Sequence, residues 1–354
     1  MLRLAPLAFV FCAACAHRDA LQPPAWHTSA VIDRDAGGTL RLSPREGERF
    51  GHCDQLQMSF SDVRSDIPEL SKSFAMTNRF AFGTLTEVAH VRANDIEVKS
   101  WSGPALMKFH VEGLDEPIDG TMDLDFGFPP AMLHYSPQGV RLGKAPPTEV
   151  VDERRERNQW QVAIDSALYS IEFPKGALRA GDEWDTKRTV VKYSWDRLLR
   201  DELVADQTWT FLGVEHATDG DYFHFSIEGE LHQETKSDVI EAGFRAETRG
   251  VARIAARDGE QARYWYTVDG RLDARFAQPE KEDAEMDAKI DATAETTTAL
   301  VGRKDFSHAA SHPVHPGLAP CLERAPVTQP DSDALRSAAV DRVRSDLDAL
   351  AGLD

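Results

Sequence analysis

Apolar residues recur at every second position through most of this chain, a period that suits a pleated strand and not a helix. Leu40 and Leu42 alternate with polar neighbours, as do Leu56, Met58 and Phe60. Phe80 with Phe82, Ile96 with Val98, Met107 with Phe109 and Val111, and Met122 with Leu124 and Phe126 continue the pattern. Between the runs stand Asn94-Asp95, Gly113, Asp119-Gly120 and Pro137-Gln138-Gly139, residues suited to chain reversal. Short alternating runs joined by short turns predict an antiparallel β unit over 39–150.

A second β unit is expected over 174–301. Its strands are read at 189–193, 208–214, 222–231, 243–254, 263–268, 271–276 and 286–300, with tight turns at Asp219-Gly220, Asp258-Gly259 and Asp269-Gly270. In the last strand Met286, Ala288, Ile290, Ala292 and Ala294 fall on one face, against Asp287, Lys289, Asp291 and Thr293 on the other. A helix over 152–173 joins the units: Trp160, Ile164, Ala167, Leu168 and Ile171 repeat at three- and four-residue spacing until Pro174 stops it.

The two units share landmarks in one order. Gly47-Glu48-Arg49-Phe50 parallels Gly181-Asp182-Glu183-Trp184, Gly120-Thr121-Met122-Asp123-Leu124 parallels Gly250-Val251-Ala252-Arg253-Ile254, and Gly139-Val140-Arg141-Leu142 parallels Gly270-Arg271-Leu272-Asp273. Their offsets stay close to one value, which points to a duplicated unit. The expected fold is therefore mainly β: two similar curved antiparallel sheets in tandem, joined by a helix. A C-terminal helix over 331–352 carries a stripe of Leu335, Ala339, Val343, Leu347 and Leu350, after a loop over 302–330.

A formal net charge of −19 sets the chain against phosphate backbones and anionic lipid surfaces, so nucleic-acid binding is not expected. The N-terminus is different in kind. Arg3 precedes a short apolar core from Leu4 to Phe11, and Cys12-Ala13-Ala14-Cys15-Ala16 follows. That core is too short to span a bilayer and suits an export signal over 1–15, with residues 16–38 as a tether. Ala13-Ala14-Cys15 resembles the end of a bacterial lipobox, with Cys12 where an aliphatic residue usually stands; the resemblance implies lipidation at Cys15. Ala14-Cys15-Ala16 equally fits ordinary signal cleavage and a secreted or periplasmic product. A lipidated Cys15 would leave Cys53 and Cys321 as a disulfide candidate in an oxidising compartment, or as two separate thiols.

The order of a lipobox-like cysteine, a β-rich half, a short helix, then Pro174…Gly181-Asp182-Glu183-Trp184 and a second β-rich half resembles bacterial envelope lipoproteins with a duplicated β domain of unknown function. More distantly the plan is similar to lipoprotein-carrier folds. The resemblance implies a cell-envelope protein held to the membrane by its lipid anchor alone. It also implies a role in lipid binding.

Chemistry-bearing motifs are sparse. His308, His312 and His315 lie near Cys321, but Pro313 and Pro316 interrupt them and no finger-like partner follows, so no metal and no cofactor are expected. His224 and His232 share strand parity. The carboxylate pairs Asp123/Asp125 and Asp219/Asp221 suit hydrolysis only if pocketed with split pKa values, and no hydrolase or phosphate-loop motif accompanies them. Trp160, Trp184, Trp209 and Trp265, with Trp195, are candidates to line a ligand cavity, with plain core as the competing reading. The expectation is a non-catalytic envelope lipoprotein that binds an apolar ligand or an envelope protein partner. A structural or assembly lipoprotein without ligand and a hydrolase are the rival classes.

Overall fold

A computed structural model describes residues 23–65, 75–112, 118–124, 131–142, 172–195, 199–236, 240–276 and 284–300. Among them lie one short helix, α1 (Ala25–Thr28), and thirteen strands. The first half contributes β1 (Ile32–Asp33), β2 (Arg49–Ser65), β3 (Ala75–Arg92), β4 (Asp95–Glu112), β5 (Ile118–Leu124), β6 (Ala131–Tyr135) and β7 (Arg141–Leu142). The second contributes β8 (Glu183–Trp195), β9 (Leu199–Ala217), β10 (Gly220–Lys236), β11 (Ile240–Ala255), β12 (Ala262–Phe276) and β13 (Ala284–Leu300).

The mainly β expectation holds, but the strands make one open antiparallel sheet and not two in tandem. Their order is β1-β9-β10-β11-β12-β13-β2-β3-β4-β6-β7, with β8 also on β9 and β5 also on β4. The seam between the halves is the pairing of β13 with β2, from Leu300 opposite Phe50 to Met286 opposite Ser65. Its register sets Ile290, Ala292 and Ala294 opposite Phe60, Met58 and Leu56. Both strands therefore keep their apolar positions on one side of the sheet, and a slip of one residue would reverse that. Two separate sheets would instead leave two long strands with unpaired edges.

Other expectations are revised by the same pairing. Asp269-Gly270 is no turn: β12 runs straight through it, with Gly270 opposite Ala246 and Ile290. Asp119-Gly120 likewise lies inside β5, opposite His110 and Phe109. Gly139, at φ 79°, does sit in the β6–β7 turn, so it has no counterpart in Gly270. Leu40 and Leu42 form no strand; Leu40 is buried in the core. The stretch expected as a tether is docked from Pro23 onward. Ile32 pairs with Glu215, and the Trp26 indole N–H donates to Glu295. Residues 1–15, the joining helix up to residue 171, the loop at 302–330 and the C-terminal helix at 331–352 lie outside the described residues. Phe173 is described: it is buried, non-helical, and donates its N–H to the Gln138 carbonyl.

The first paired landmark survives as geometry. Gly47 and Gly181 both adopt positive φ, 78° and 92°, a backbone conformation glycine takes without the strain a side chain would add. Glu48 Oε2 accepts from the Arg45 N–H, and Asp182 Oδ2 accepts from the Arg179 N–H. Gly47 and Glu48 exchange backbone bonds with Val88, as Gly181 and Asp182 do with Phe211. The same turn thus starts β2 and β8.

Among the described residues, two core clusters lie at one end of the sheet. Trp209, Phe211, Phe225, Ile254 and Tyr264 form the larger, closed over by Leu40, Phe173 and Leu178. Phe50, Val88, Ile96, Val98 and Leu133 form the smaller. Leu42 packs against both. Its N–H donates to Pro137 in the β6–β7 turn, and the next N–H, of Ser43, donates to Asp258 in the β11–β12 turn. Residues 38–43 and 172–181 therefore strap the two wings together where their turns meet.

Candidate functional site

Strand alternation divides β9–β13 into two unlike faces. On one, Ala205, Leu231, Ala246, Leu272, Ala288 and Ile290 are all buried. They line up across strands: Ala205 opposes Leu231, Leu231 opposes Ala246, and Gly270 stands between Ala246 and Ile290. Two rows toward the strapped end, Trp209, Ile227, Gly250 and Tyr266 are likewise in register. The polar row between them crosses β8 to β11 as Thr186, Gln207, Gly229 and Thr248. Thr186 donates to the Gln207 carbonyl at 3.4 Å. The Thr248 hydroxyl is buried and has no hydrogen-bond partner among the described residues.

The opposite face is charged. Arg271 holds Asp287 with one nitrogen 2.8 and 2.6 Å from the two carboxylate oxygens, and Lys289 bridges to Asp291 at 3.0 Å and Asp269 at 3.4 Å. Near the β9–β10 turn lies a denser cluster. Glu215 Oε2 accepts from Arg253 Nε at 2.6 Å and lies 2.8 Å from His224 Nε2, and the Arg253 guanidinium caps the Tyr222 ring at 3.4 Å. His224 is fully buried, with the His27 ring 5.6 Å away on α1. Burial pulls the His224 pKa down against the pull of Glu215, and burial with the neighbouring His224 lowers that of His27. Burial opposes ionisation of Glu215, yet the hydrogen bonds from Arg253 and His224 win and hold its pKa low. An open cleft of about 450 Å³ adjoins this cluster, lined by Trp26, Val31, Glu215, His216, Arg253 and Arg263 among others.

The residues singled out in the sequence separate cleanly. Trp184 and Trp209 are brought together, rings stacked at 6.0 Å and both edge-on to Phe225, in the packed cluster. Trp265 is buried on the charged side, in register with Val251 and Glu295. Trp160 lies outside the described residues, as do Cys15, Cys321 and His308, His312 and His315. Cys53 is disulfide-bonded, and Cys12, Cys15 and Cys321 are the cysteines that could be its partner. His224 and His232 do share the charged face, and no metal-ligand cluster is found among the described residues. Asp219 accepts from the Tyr222 hydroxyl and Asp221 faces His216 at 2.8 Å, both exposed and outside the cleft lining.

Sequence reasoning missed Glu215 and Arg253, although a signal existed. A turn at Asp219-Gly220 sets Glu215 opposite Tyr222, one alternation from His224, and β11 then brings Arg253 opposite His224.

The fold and these two faces define a one-sided antiparallel β-sheet protein. No family model matches the sequence, and no curated protein matches it. Among solved structures, the chain is similar to lipovitellin, described for its lipid–protein interactions, at 11% identity and a TM-score of 0.37. The match covers 73% of this chain and 25% of that one, so the chain spans about a quarter of the lipovitellin it matches. It is also similar to the outer membrane protein OprG from Pseudomonas aeruginosa, at 8% identity, TM-score 0.26 and coverage of 73% of this chain and 100% of that one. An outer membrane channel from Pseudomonas putida F1 follows at 10% identity and TM-score 0.22, covering 73% and 97%. Likenesses this slight carry no argument about function.

Proposed function

We propose that the protein is a non-catalytic carrier or presenter of an apolar ligand in the bacterial cell envelope. The observation that supports this is the buried apolar face across β9–β13, set against a charged face on the same strands. A sheet crossing a bilayer as a barrel would turn its apolar side outward to lipid around a polar lumen, and its apolar face would have no reason to carry a core strapped at one end. Here that side holds the core, and its further rows of alanine, glycine and leucine offer a floor of low relief on which an aliphatic chain can lie.

The finer reading follows the sequence. Cys15 carries the lipid anchor, Cys53 pairs with Cys321, the repeated entry turn marks a duplication, and the C-terminal helix docks on the body. Against the hydrolase stands the placement of Asp219 and Asp221 in exposed turn contacts. A specific observation favours the assembly reading as the second choice: Trp184 and Trp209 fill their end of the sheet with rings and leave no room for ligand there.

Native mass spectrometry of the purified protein with extraction of bound lipid tests the carrier. Co-purifying lipid, or saturable uptake of a fluorescent fatty acyl probe, is the expected result. A protein that arrives empty and takes up no probe sinks the carrier and leaves the assembly role.

A further inference from the structure

The N-terminal segment crosses the charged face of the sheet and is fastened there at three places. Trp26 donates to Glu295 on β13, His27 meets His224 on β10, and Ile32 and Asp33 pair with Glu215 and Val214 on β9. Trp26, Ser29, Ala30 and Val31 supply one side of the open cleft, and Glu215, His216, Arg253 and Arg263 the other. The middle fastening is set by a count of protons. Glu215 is held ionised by Arg253 and His224, so its Oε2 only accepts, and His224 Nε2, 2.8 Å away, carries the hydrogen. A neutral His224 is therefore bare at Nδ1, and His27 Nδ1, 3.4 Å from it, is the donor. A proton added at His27 Nε2 leaves that bond standing. A proton added at His224 Nδ1 sets donor against donor.

We propose that residues 23–31 are an acid-released strap, freed when His224 gains a second ring proton, pivoting at Ile32–Asp33 and opening the cleft. The inference stands apart from the carrier reading. The charged groups acting on the two rings are Glu215 from β9, Arg253 from β11 and each ring on the other. Arg253 stands directly opposite His224 and already uses Glu215. One carboxylate would then serve a guanidinium and a fully buried imidazolium, with His27 pressed against them. Burial holds both histidine pKa values below 6.5 despite Glu215, so docking is complete above that pH and is lost as pH falls through the lowered values. The pivot responds oppositely. His216 lies 2.8 Å from Asp221 and 3.7 Å from Asp33, and its hydrogen bond to Asp221 raises its pKa, so acid keeps it charged beside Asp33 while His27 lets go.

Hydrogen exchange of the full chain, corrected for intrinsic rate and read by mass spectrometry, tests the strap between about pH 7.5 and about pH 5. The amides of His27, Thr28, Ser29 and Ala30 bond only to carbonyls of residues 24–27. A helix this short does not hold itself once undocked, so these amides are expected to lose roughly tenfold or more of their protection in acid. Those of β10–β12 are expected to keep theirs. His27→Gln is expected to abolish the step, because a turned amide offers His224 Nδ1 either an acceptor or a donor. Its β10–β12 amides report whether the variant is folded. Wild-type protection that does not fall overturns the strap. So does a fall that β10–β12 share, which is global unfolding, or a full-sized step retained in folded His27→Gln.

Discussion

The two faces of β9–β13 are made by the same residues' neighbours, one position apart, yet they do opposite work. Trp209 and Ile227 face the buried side, while Thr208 and Glu228 between the same ladder bonds face out. The buried side derives its stability from area and close packing. The charged side gains little from exposed pairs such as Arg271–Asp287, because water competes for their partners, and more from the screened Glu215–Arg253–His224 cluster. What the contrast teaches is that alternation alone, carried through long strands in a fixed register, can make one sheet both a core and a soluble surface.

The comparison breaks most sharply at Trp209. Its replacement by Ala is expected to cost about 3–5 kcal/mol in urea unfolding, since the Trp184, Phe225 and Tyr264 rings lose their common neighbour. A loss under 1 kcal/mol would mean that this end of the sheet is not the core.

Acid comes next, and acts on the buried side through His52. Burial brings its pKa from 6.5 down to about 4, and its two ring nitrogens face the hydroxyls of Thr298 and Thr86 at 2.9 and 3.0 Å. The unfolded chain takes up the proton first, so stability present above pH 6.5 is lost as pH falls toward 4, by about 3 kcal/mol in all. His52→Gln should flatten that limb. Glu260 acts with the opposite sign. Burial beside Asp258 and Glu48 raises its pKa from 4.5 to about 7, so its contribution is full below pH 4.5 and fades as pH climbs through 7. Glu260→Gln should remove that second slope; a profile unchanged by either substitution would contradict both assignments.

On the charged side the largest effect belongs to Glu215. Glu215→Ala leaves the buried His224 and the largely buried Arg253 without their shared carboxylate, an expected loss of about 2 kcal/mol. Smaller still are the entry turns. Gly47→Ala and Gly181→Ala each force a side chain into positive φ, for about 1 kcal/mol, and equal losses would support their equivalence. Least of all is Arg271→Ala, whose exposed pair with Asp287 is worth about 0.5 kcal/mol or less by chemical denaturation.

Much of this fold was legible in the residues. The period of two located β2–β4 and β8–β13, and Asp219-Gly220 and Asp258-Gly259 marked true reversals. Asp269-Gly270 misled because the same dipeptide fits a turn or a flat crossing, and the long neighbours on both sides of β12 decided for the crossing. The seam could not be foreseen. Alternation says which residues share a face, but pairing of β13 with β2 depends on which distant edge is free to receive it. The polar row was equally hidden: Gln207, Gly229 and Thr248 are separated in the chain by two hairpins, and only the register brings them side by side.

The seam between Leu300 and Phe50 also sets a timetable. Its partners are roughly 250 residues apart along the chain, so β2 emerges early and waits for a mate made near the end of the described sheet. Through that interval its open side is a ready template for any other nascent strand. Delay or truncation ahead of β13 would thus do more harm than the loss of one strand, because it would leave the first wing permanently adhesive.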